Sequence, residues 1–268
     1  MWSREEIERY ARHFVLPGVG EEGQKKLKAS RVLVIGAGGL GSPVLFYLAA
    51  AGVGRLGVVE HDRVDRSNMN RQILFTEADV GRKKAEVAKA RLLALNPTIT
   101  VEAYAERFTP ALAKRLVPAY DLLVDASDNF PTRYLANDAA VLYDRPLVHG
   151  AIYRFEGQLS VFHYQGGPCY RCLFKKPPEH TADCSVAGVF GVLPGVVGTL
   201  MATEAIKVLL GLGEVLSGRL MLYDALEADF RKLAFPRDPA CPVCGENPVI
   251  RSLDDVNYEE NVCPGGAG

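Results

Sequence analysis

Arg31-Val-Leu-Val-Ile-Gly-Ala-Gly-Gly-Leu-Gly41 runs from a continuous apolar, β-branched segment straight into a cluster of glycines. A strand with no polar position reads as one covered on both faces, as in a parallel sheet. Gly36, Gly38 and Gly41 set the spacing G-x-G-x-x-G between that strand and a small-residue helix ending near Gly52. Lacking Cβ atoms, such a loop lets the backbone approach a phosphate, and the helix behind it supplies free N–H groups and a positive dipole end. A second strand, Arg55–Glu60, ends on a carboxylate where ribose hydroxyls can be gripped.

Farther along the chain, helices expected at Lys83–Leu95, Pro110–Leu116 and about Pro131–Tyr143 alternate with strands at Thr98–Ala103, Asp121–Ala126 and Pro146–Gly150. That alternation indicates an α/β fold with a Rossmann-like, doubly wound, mostly parallel sheet. After Gly150 the pattern changes. Gly157–Tyr164 alternates like an antiparallel strand, Pro194–Leu210 reads as a helix closed by Gly211, and Leu220–Tyr223 with Asp229–Phe235 reads as a hairpin. The second half therefore continues the same sheet with antiparallel strands. The expected organisation is one domain over 1–250, with helices in 1–30, a nucleotide-binding half over 31–150 and a second half over 151–250. The tail 251–268, ending Pro-Gly-Gly-Ala-Gly, is expected to be mobile from Ser252 onward.

Composition narrows the function classes. The 268 residues are 48% hydrophobic and 24% charged, which suits a soluble globular protein and excludes dominant disorder. With 31 basic against 32 acidic residues, the chain is not built for direct nucleic-acid binding. The charged start lacks a signal-peptide core, so the expected location is cytoplasmic. The uncharged stretch Cys184–Thr203 is long enough for a membrane span, but Pro194 and four glycines interrupt it. It reads as a loop running into a buried helix, and no membrane association is expected.

Directly after the second strand comes Asp62-Arg-Val-Asp-Arg-Ser-Asn-Met-Asn-Arg-Gln72, with three arginines. Arg71 can clamp phosphates bidentately, and Lys84 stands at a helix start, where a cation opposes the dipole unless an anion is near. Asp128 and Asn129 follow a strand at the carboxyl edge, where open α/β sheets bind ligands. Asp128 there can hold Mg²⁺ beside triphosphate oxygens, or act as a helix N-cap, or both. The glycine motif by itself would favour an NAD(P)- or FAD-binding oxidoreductase, but that alternative leaves Arg71 and Lys84 without a purpose.

Cys169/Cys172 and Cys241/Cys244 form two C-x-x-C pairs. Together they supply four thiolates for tetrahedral Zn²⁺ with no position left for water, which is the pattern of a structural site. A redox role is the competing reading. Each pair has a proline before or inside it, and neither is expected to open a helix.

These pieces resemble the ThiF/MoeB/HesA-type activating enzymes, the bacterial relatives of the ubiquitin-activating enzymes. The matching motifs are R-Y-A-R at 9–12, G-A-G-G-L-G at 36–41, S-N-M-N-R-Q at 67–72, G-R-K-K-A at 81–85 and D-A-S-D-N at 125–129. E-G-Q at 156–158, P-C-Y-R-C at 168–172, D-C at 183–184 and C-P-V-C at 241–244 complete the set, which covers about residues 4–246. The resemblance implies ATP contacts at Gly39, Glu60, Ser67, Asn68, Met69, Asn70, Arg71, Lys84, Asp128 and Asn129. Family members usually carry Asp where this chain has Glu60. It also implies a homodimer in which Arg12 reaches the phosphates of the neighbouring subunit. Cys184 matches the position at which some members link covalently to their carrier.

The activity so implied is adenylation of the C-terminal glycine of a small ubiquitin-like sulfur carrier ending in Gly-Gly, with ATP, Mg²⁺ and Zn²⁺ as cofactors. Such carriers serve molybdopterin, thiamine and tRNA-thiolation pathways. Larger relatives append a sulfurtransferase domain, so here the sulfur is expected from a separate donor, a cysteine desulfurase or a rhodanese. A non-catalytic subunit of a heterodimer is the remaining alternative, and Arg71, Lys84 and Asp128 speak against it.

Overall fold

The apolar run forms β1 (Arg31–Ile35), with Val32, Leu33 and Val34 wholly buried. A computed structural model of the chain describes residues 2–176 and 188–258. β1 pairs in parallel with β2 (Arg55–Val59) on one side and β4 (Leu122–Asp125) on the other. β3 (Thr100–Tyr104) extends the sheet beyond β2, and β5 (Leu147–Tyr153) extends it beyond β4, both parallel. β6 (Glu156–Phe162), β7 (Arg219–Asp224) and β8 (Asp229–Ala234) then add on antiparallel. The result is one eight-stranded sheet in the order β3-β2-β1-β4-β5-β6-β7-β8. Chain direction across the sheet reverses between β1 and β4, and the crevice outside their carboxyl ends is where such folds place a ligand.

The period-two alternation of the strands divides the core. Val32, Val34, Val124 and Val148 face one layer, which holds α3 (Gly41–Ala50) and α4 (Lys84–Leu95). Leu33, Ile35, Leu123 and Leu147 face the other, with α5 (Pro110–Leu116), α6 (Phe130–Leu142) and the single turn α7 (Tyr170–Leu173). The last α-helix among the described residues, α8 (Leu193–Leu210), has Pro194 in its first turn and ends on Gly211 in the left-handed conformation, φ 68°. By length and composition alone α8 could cross a membrane, but half of it is buried inside the fold. It lies so close to α3 that a Cβ at Gly198 would sit 2.5 Å from both the Leu40 carbonyl oxygen and Pro43 Cγ.

α1 (Arg4–Phe14) opens with a capping box between Ser3 and Glu6. With α2 (Gly20–Ala29) it packs at the amino edge of the parallel strands. There Arg9 donates to the Leu95 carbonyl at 2.9 Å, and Gln24, paired with His13, donates to the Ala51 carbonyl at 2.8 Å.

The expectation of a mobile tail from Ser252 fails for its first residues. Leu253 and Tyr258 are buried against the α5–α6 layer, and Tyr258 donates to Asp138 at 2.8 Å. Apolar side chains five positions apart act here as two anchors, with Lys114 pairing Asp254 between them.

Candidate functional site

The glycine loop leaves β1 at Gly36, whose φ is +96°, and a Cβ there would meet the Ala126 carbonyl oxygen at 2.7 Å. A Cβ on Gly41 would lie 2.1 Å from the Gly36 carbonyl oxygen, so the loop closes on itself as α3 begins. These two positions admit only glycine. At Gly39 the loop touches Pro194, so the start of α8 lies against it. Gly38 faces Gln72, whose buried Oε1 has no hydrogen-bond partner among the described residues. Glu60, one residue beyond β2, is buried and accepts from the backbone N–H groups of Ala37 and Asp62, each at 3.0 Å. Its carboxylate thus ties the glycine loop to the start of the arginine-rich segment, and carboxylate oxygens retain acceptor capacity beyond those two bonds.

Ser67, Asn68, Met69 and Asn70 lie in a short 3₁₀ turn and its exit. Asp65 caps that turn, accepting from the Ser67 N–H at 2.8 Å, and the Ser67 bonds hold its carboxyl below the ordinary range. Arg71 folds back onto the Ser67 carbonyl at 3.1 Å and Asn70 Oδ1 at 3.0 Å. Asp79 anchors the far end of the segment, with Thr76, Arg82 and Arg91 as donors. Lys84 then opens α4 as a buried cation, 3.3 Å from Asp62. A buried ammonium at a helix N-terminus, with one half-exposed carboxylate as partner, is placed to take a second anion.

Asp128 and Asn129 are exposed at the carboxyl edge between β4 and α6. The cap of α6 is Asn129, which accepts from the Thr132 N–H at 3.0 Å. The alternative of Asp128 as the cap is therefore corrected: the helix starts one residue later, and the Asp128 carboxylate is left for other work. Glycine-loop N–H groups, Arg71 and Lys84 for phosphate oxygens, and Asp128 for a divalent cation form a donor set suited to a nucleoside triphosphate.

The four paired cysteines come together although 68 residues separate the pairs. Cys169 Sγ lies 3.9 Å from Cys172 and 3.5 Å from Cys241, and Cys172 lies 3.4 Å from Cys244. All four sulfurs fall within 4.8 Å of one another, a spacing that could hold a metal ion. The close contact with Cys169 pushes the Cys172 thiol below its ordinary value. None of the four is in a disulfide. One expectation is corrected: Cys169 does open a helix, as N-cap of the single turn α7. That turn turns Cys172 back toward Cys169 and seats Tyr170 and Arg171 in the core.

The ThiF family profile matches residues 10–243. The chain belongs to the ThiF family. A sulfur carrier protein adenylyltransferase of Thermus thermophilus is 62% identical over 265 residues, spanning 96% of this chain and 97% of the relative. The adenylyltransferase and sulfurtransferase MOCS3 of Bos taurus is 51% identical over 268 residues, which are 99% of this chain but only 58% of the relative. Among solved structures, E. coli MccB with AMPCPP and MccA has a TM-score of 0.77 at 26% identity, covering 90% of this chain and 74% of that one.

Within this ThiF-family fold, the glycine loop, Glu60, the 67–71 segment, Lys84, Asp128 and Asn129 all lie at the carboxyl edge of the parallel strands. Arg12 does not. It is exposed on α1 at the amino edge, between residues that contact the ends of α3 and α4. Cys184 lies outside the described residues.

Three buried polar groupings escape a reading of motifs. Asp125 pairs with His149, Asp138 pairs with Arg171, and Glu204 accepts from the Leu216 N–H at 2.8 Å. The visible signal for each was a charged or polar residue inside an otherwise apolar segment.

Proposed function

We propose that this protein adenylates the C-terminal glycine of a small ubiquitin-like sulfur carrier, preparing it for thiocarboxylate formation. The observation that carries this reading is Asp128, exposed and free of a capping role at the same sheet edge as Lys84 and the glycine loop. The carrier's carboxylate attacks the α-phosphorus of ATP. A carboxylate oxygen–phosphorus bond forms, the bond to the bridging oxygen breaks, and pyrophosphate leaves. Arg71 and Lys84, with Arg12 of a neighbouring copy, neutralise the charge on the phosphates, and the glycine loop with Glu60 seats the adenosine. Mg²⁺, held by Asp128, would supply further charge neutralisation at the phosphate oxygens.

The name of the Thermus thermophilus relative, matched over nearly its full length, supports carrier adenylation as the activity. A homodimer is part of the proposal, as is a carrier tail ending in Gly-Gly. A separate sulfur donor, cysteine desulfurase or rhodanese, is also proposed. It is supported by the name of the Thermus thermophilus relative, matched over 97% of its length, which mentions adenylyl transfer alone. The metal proposed for the four thiolates is Zn²⁺, because a closed Cys₄ set offers soft donors and no open position. The need for ATP supports a cytoplasmic setting.

Carrier-dependent exchange of pyrophosphate into ATP tests the reading. Asp128→Ala is expected to abolish it in a protein that still folds, and survival of exchange at the wild-type rate would overturn the assignment.

A further inference from the structure

Asp125 closes β4 with no exposed surface, and His149, its register partner on β5, is equally buried. His149 Nδ1 lies 2.8 Å from Asp125 Oδ2. Burial holds the imidazole below its ordinary pKa against the pull of Asp125, so the ring is neutral. Burial pushes the carboxyl of Asp125 up, but the hydrogen bond from His149 helps outweigh it, and the net shift is downward. The pair is therefore a carboxylate accepting from a neutral ring whose single proton sits on Nδ1. His149 Nε2 is buried without a hydrogen-bond partner among the described residues. Ring contacts with Tyr170 at 5.0 Å and Phe162 at 6.0 Å hold the imidazole in place.

The other carboxylate oxygen of Asp125 builds the turn that follows. Oδ1 accepts from the Ser127 backbone N–H at 3.0 Å and from the Ser127 hydroxyl at 2.6 Å. In the same turn the Ala126 carbonyl oxygen occupies the space beside Gly36, so the turn abuts the glycine loop. The next residue is Asp128. A carboxylate buried this deeply persists only if hydrogen-bonded, and His149 is the donor from the neighbouring strand.

We propose that His149 is a positioning residue for adenylation: by donating to Asp125 it fixes the Ser127 turn that presents Asp128. This rests on the assignment of magnesium to Asp128. His149 touches no substrate. It acts as outer partners of metal ligands do, orienting a group that orients the ligand.

The test compares His149→Leu, which removes the donor, with His149→Asn, whose amide can donate near the Nδ1 position. The readouts are the Mg²⁺ dependence of AMPCPP binding by calorimetry, hydrogen exchange at the Ser127 amide, and carrier-dependent pyrophosphate exchange. In His149→Leu the Mg²⁺ concentration for half-maximal AMPCPP binding is expected to rise about tenfold, within the range typical for losing such a partner. The Ser127 amide should exchange faster, while the KM for the carrier stays unchanged. His149→Asn should recover most of each effect, which a purely space-filling role would not require. A folded His149→Leu protein with wild-type Mg²⁺ dependence overturns the proposal. If that variant does not fold, Ser127→Ala removes the hydroxyl bond that the same turn makes to Asp125, and an unchanged Mg²⁺ dependence there overturns it equally. Asp128→Asn is the control: if it too leaves the Mg²⁺ dependence unmoved, the assignment of Asp128 has failed.

Discussion

Arg171 meets both carboxylate oxygens of Asp138 at 2.7 Å, and the two side chains are buried together. Arg171 stands between the two cysteines of the first pair, and Asp138 belongs to α6, the helix that begins just after Asp128. Asn137 reinforces the joint by accepting from the Tyr170 N–H at 2.7 Å. The cysteine cluster and the nucleotide edge are thus two ends of one bolted unit.

Removing one partner of such a pair strands a charge in the core. Arg171→Leu is expected to cost about 3–5 kcal/mol, read from chemical denaturation of the metal-loaded protein. Adding Asp138→Asn should restore part of that loss, since no uncompensated carboxylate then remains. Strict additivity of the two changes would contradict the pairing.

The carefully purified protein should carry about one zinc per chain, as four convergent thiolates imply. Cys241→Ser should lower stability far more than it changes exchange activity in whatever folded protein survives. Metal analysis that finds no zinc would end this reading.

Asp79 links stability to pH. Burial raises its carboxyl, but Arg91 and Thr76 outweigh that and bring it from 3.8 down to about 2. Its contribution, about 2 kcal/mol for such a shift, is fully present above pH ~4 and is lost as pH falls toward 2. Asp79→Asn should therefore be less stable than wild type at neutral pH, and the two denaturation curves should converge in acid. A constant gap down to the lowest pH at which both fold would contradict the assignment.

Cys184→Ala should leave pyrophosphate exchange largely intact while removing any reducible covalent adduct between enzyme and carrier. Loss of exchange would mean that the cysteine acts earlier than proposed.

Arg12 sits at the opposite sheet edge from Lys84 and Asp128 of its own chain, which suits delivery to a neighbour. Arg12→Ala and Asp128→Ala, each nearly inactive alone, should complement when mixed. Half the dimers from equal, freely exchanging subunits are heterodimers with one whole site in two, so activity should return to about a quarter of wild type. Proven subunit exchange without recovery would rule out a shared site.

What could be read from the chain was what depends on short spacing. The glycine loop, the strand-helix alternation and both cysteine pairs are local patterns, and the fold and the cluster followed from them. The pairs Asp125–His149 and Asp138–Arg171 join residues 24 and 33 positions apart, and only strand register and helix docking bring them together. A motif reading registers Arg171 as filler between two cysteines and His149 as a core residue. The cap of α6 was missed by one position, because Asp128 and Asn129 are both good caps and only the backbone turn chooses between them. Arg12 is the reverse case: its own contacts explain nothing about its role, since the group it would serve belongs to another copy.

The closeness of α8 to α3 at Gly198 carries a warning for anyone mapping this protein by saturation mutagenesis. Any side chain there must displace a main-chain oxygen or a proline ring, and neither is the pliable end of a flexible group. Variants at Gly198 should therefore score as badly as those at Asp128 in a growth-based selection, although the residue has no chemistry to lose. Abundance measured beside fitness separates the two: failed folding depletes the protein at Gly198, while at Asp128 the protein accumulates and does nothing.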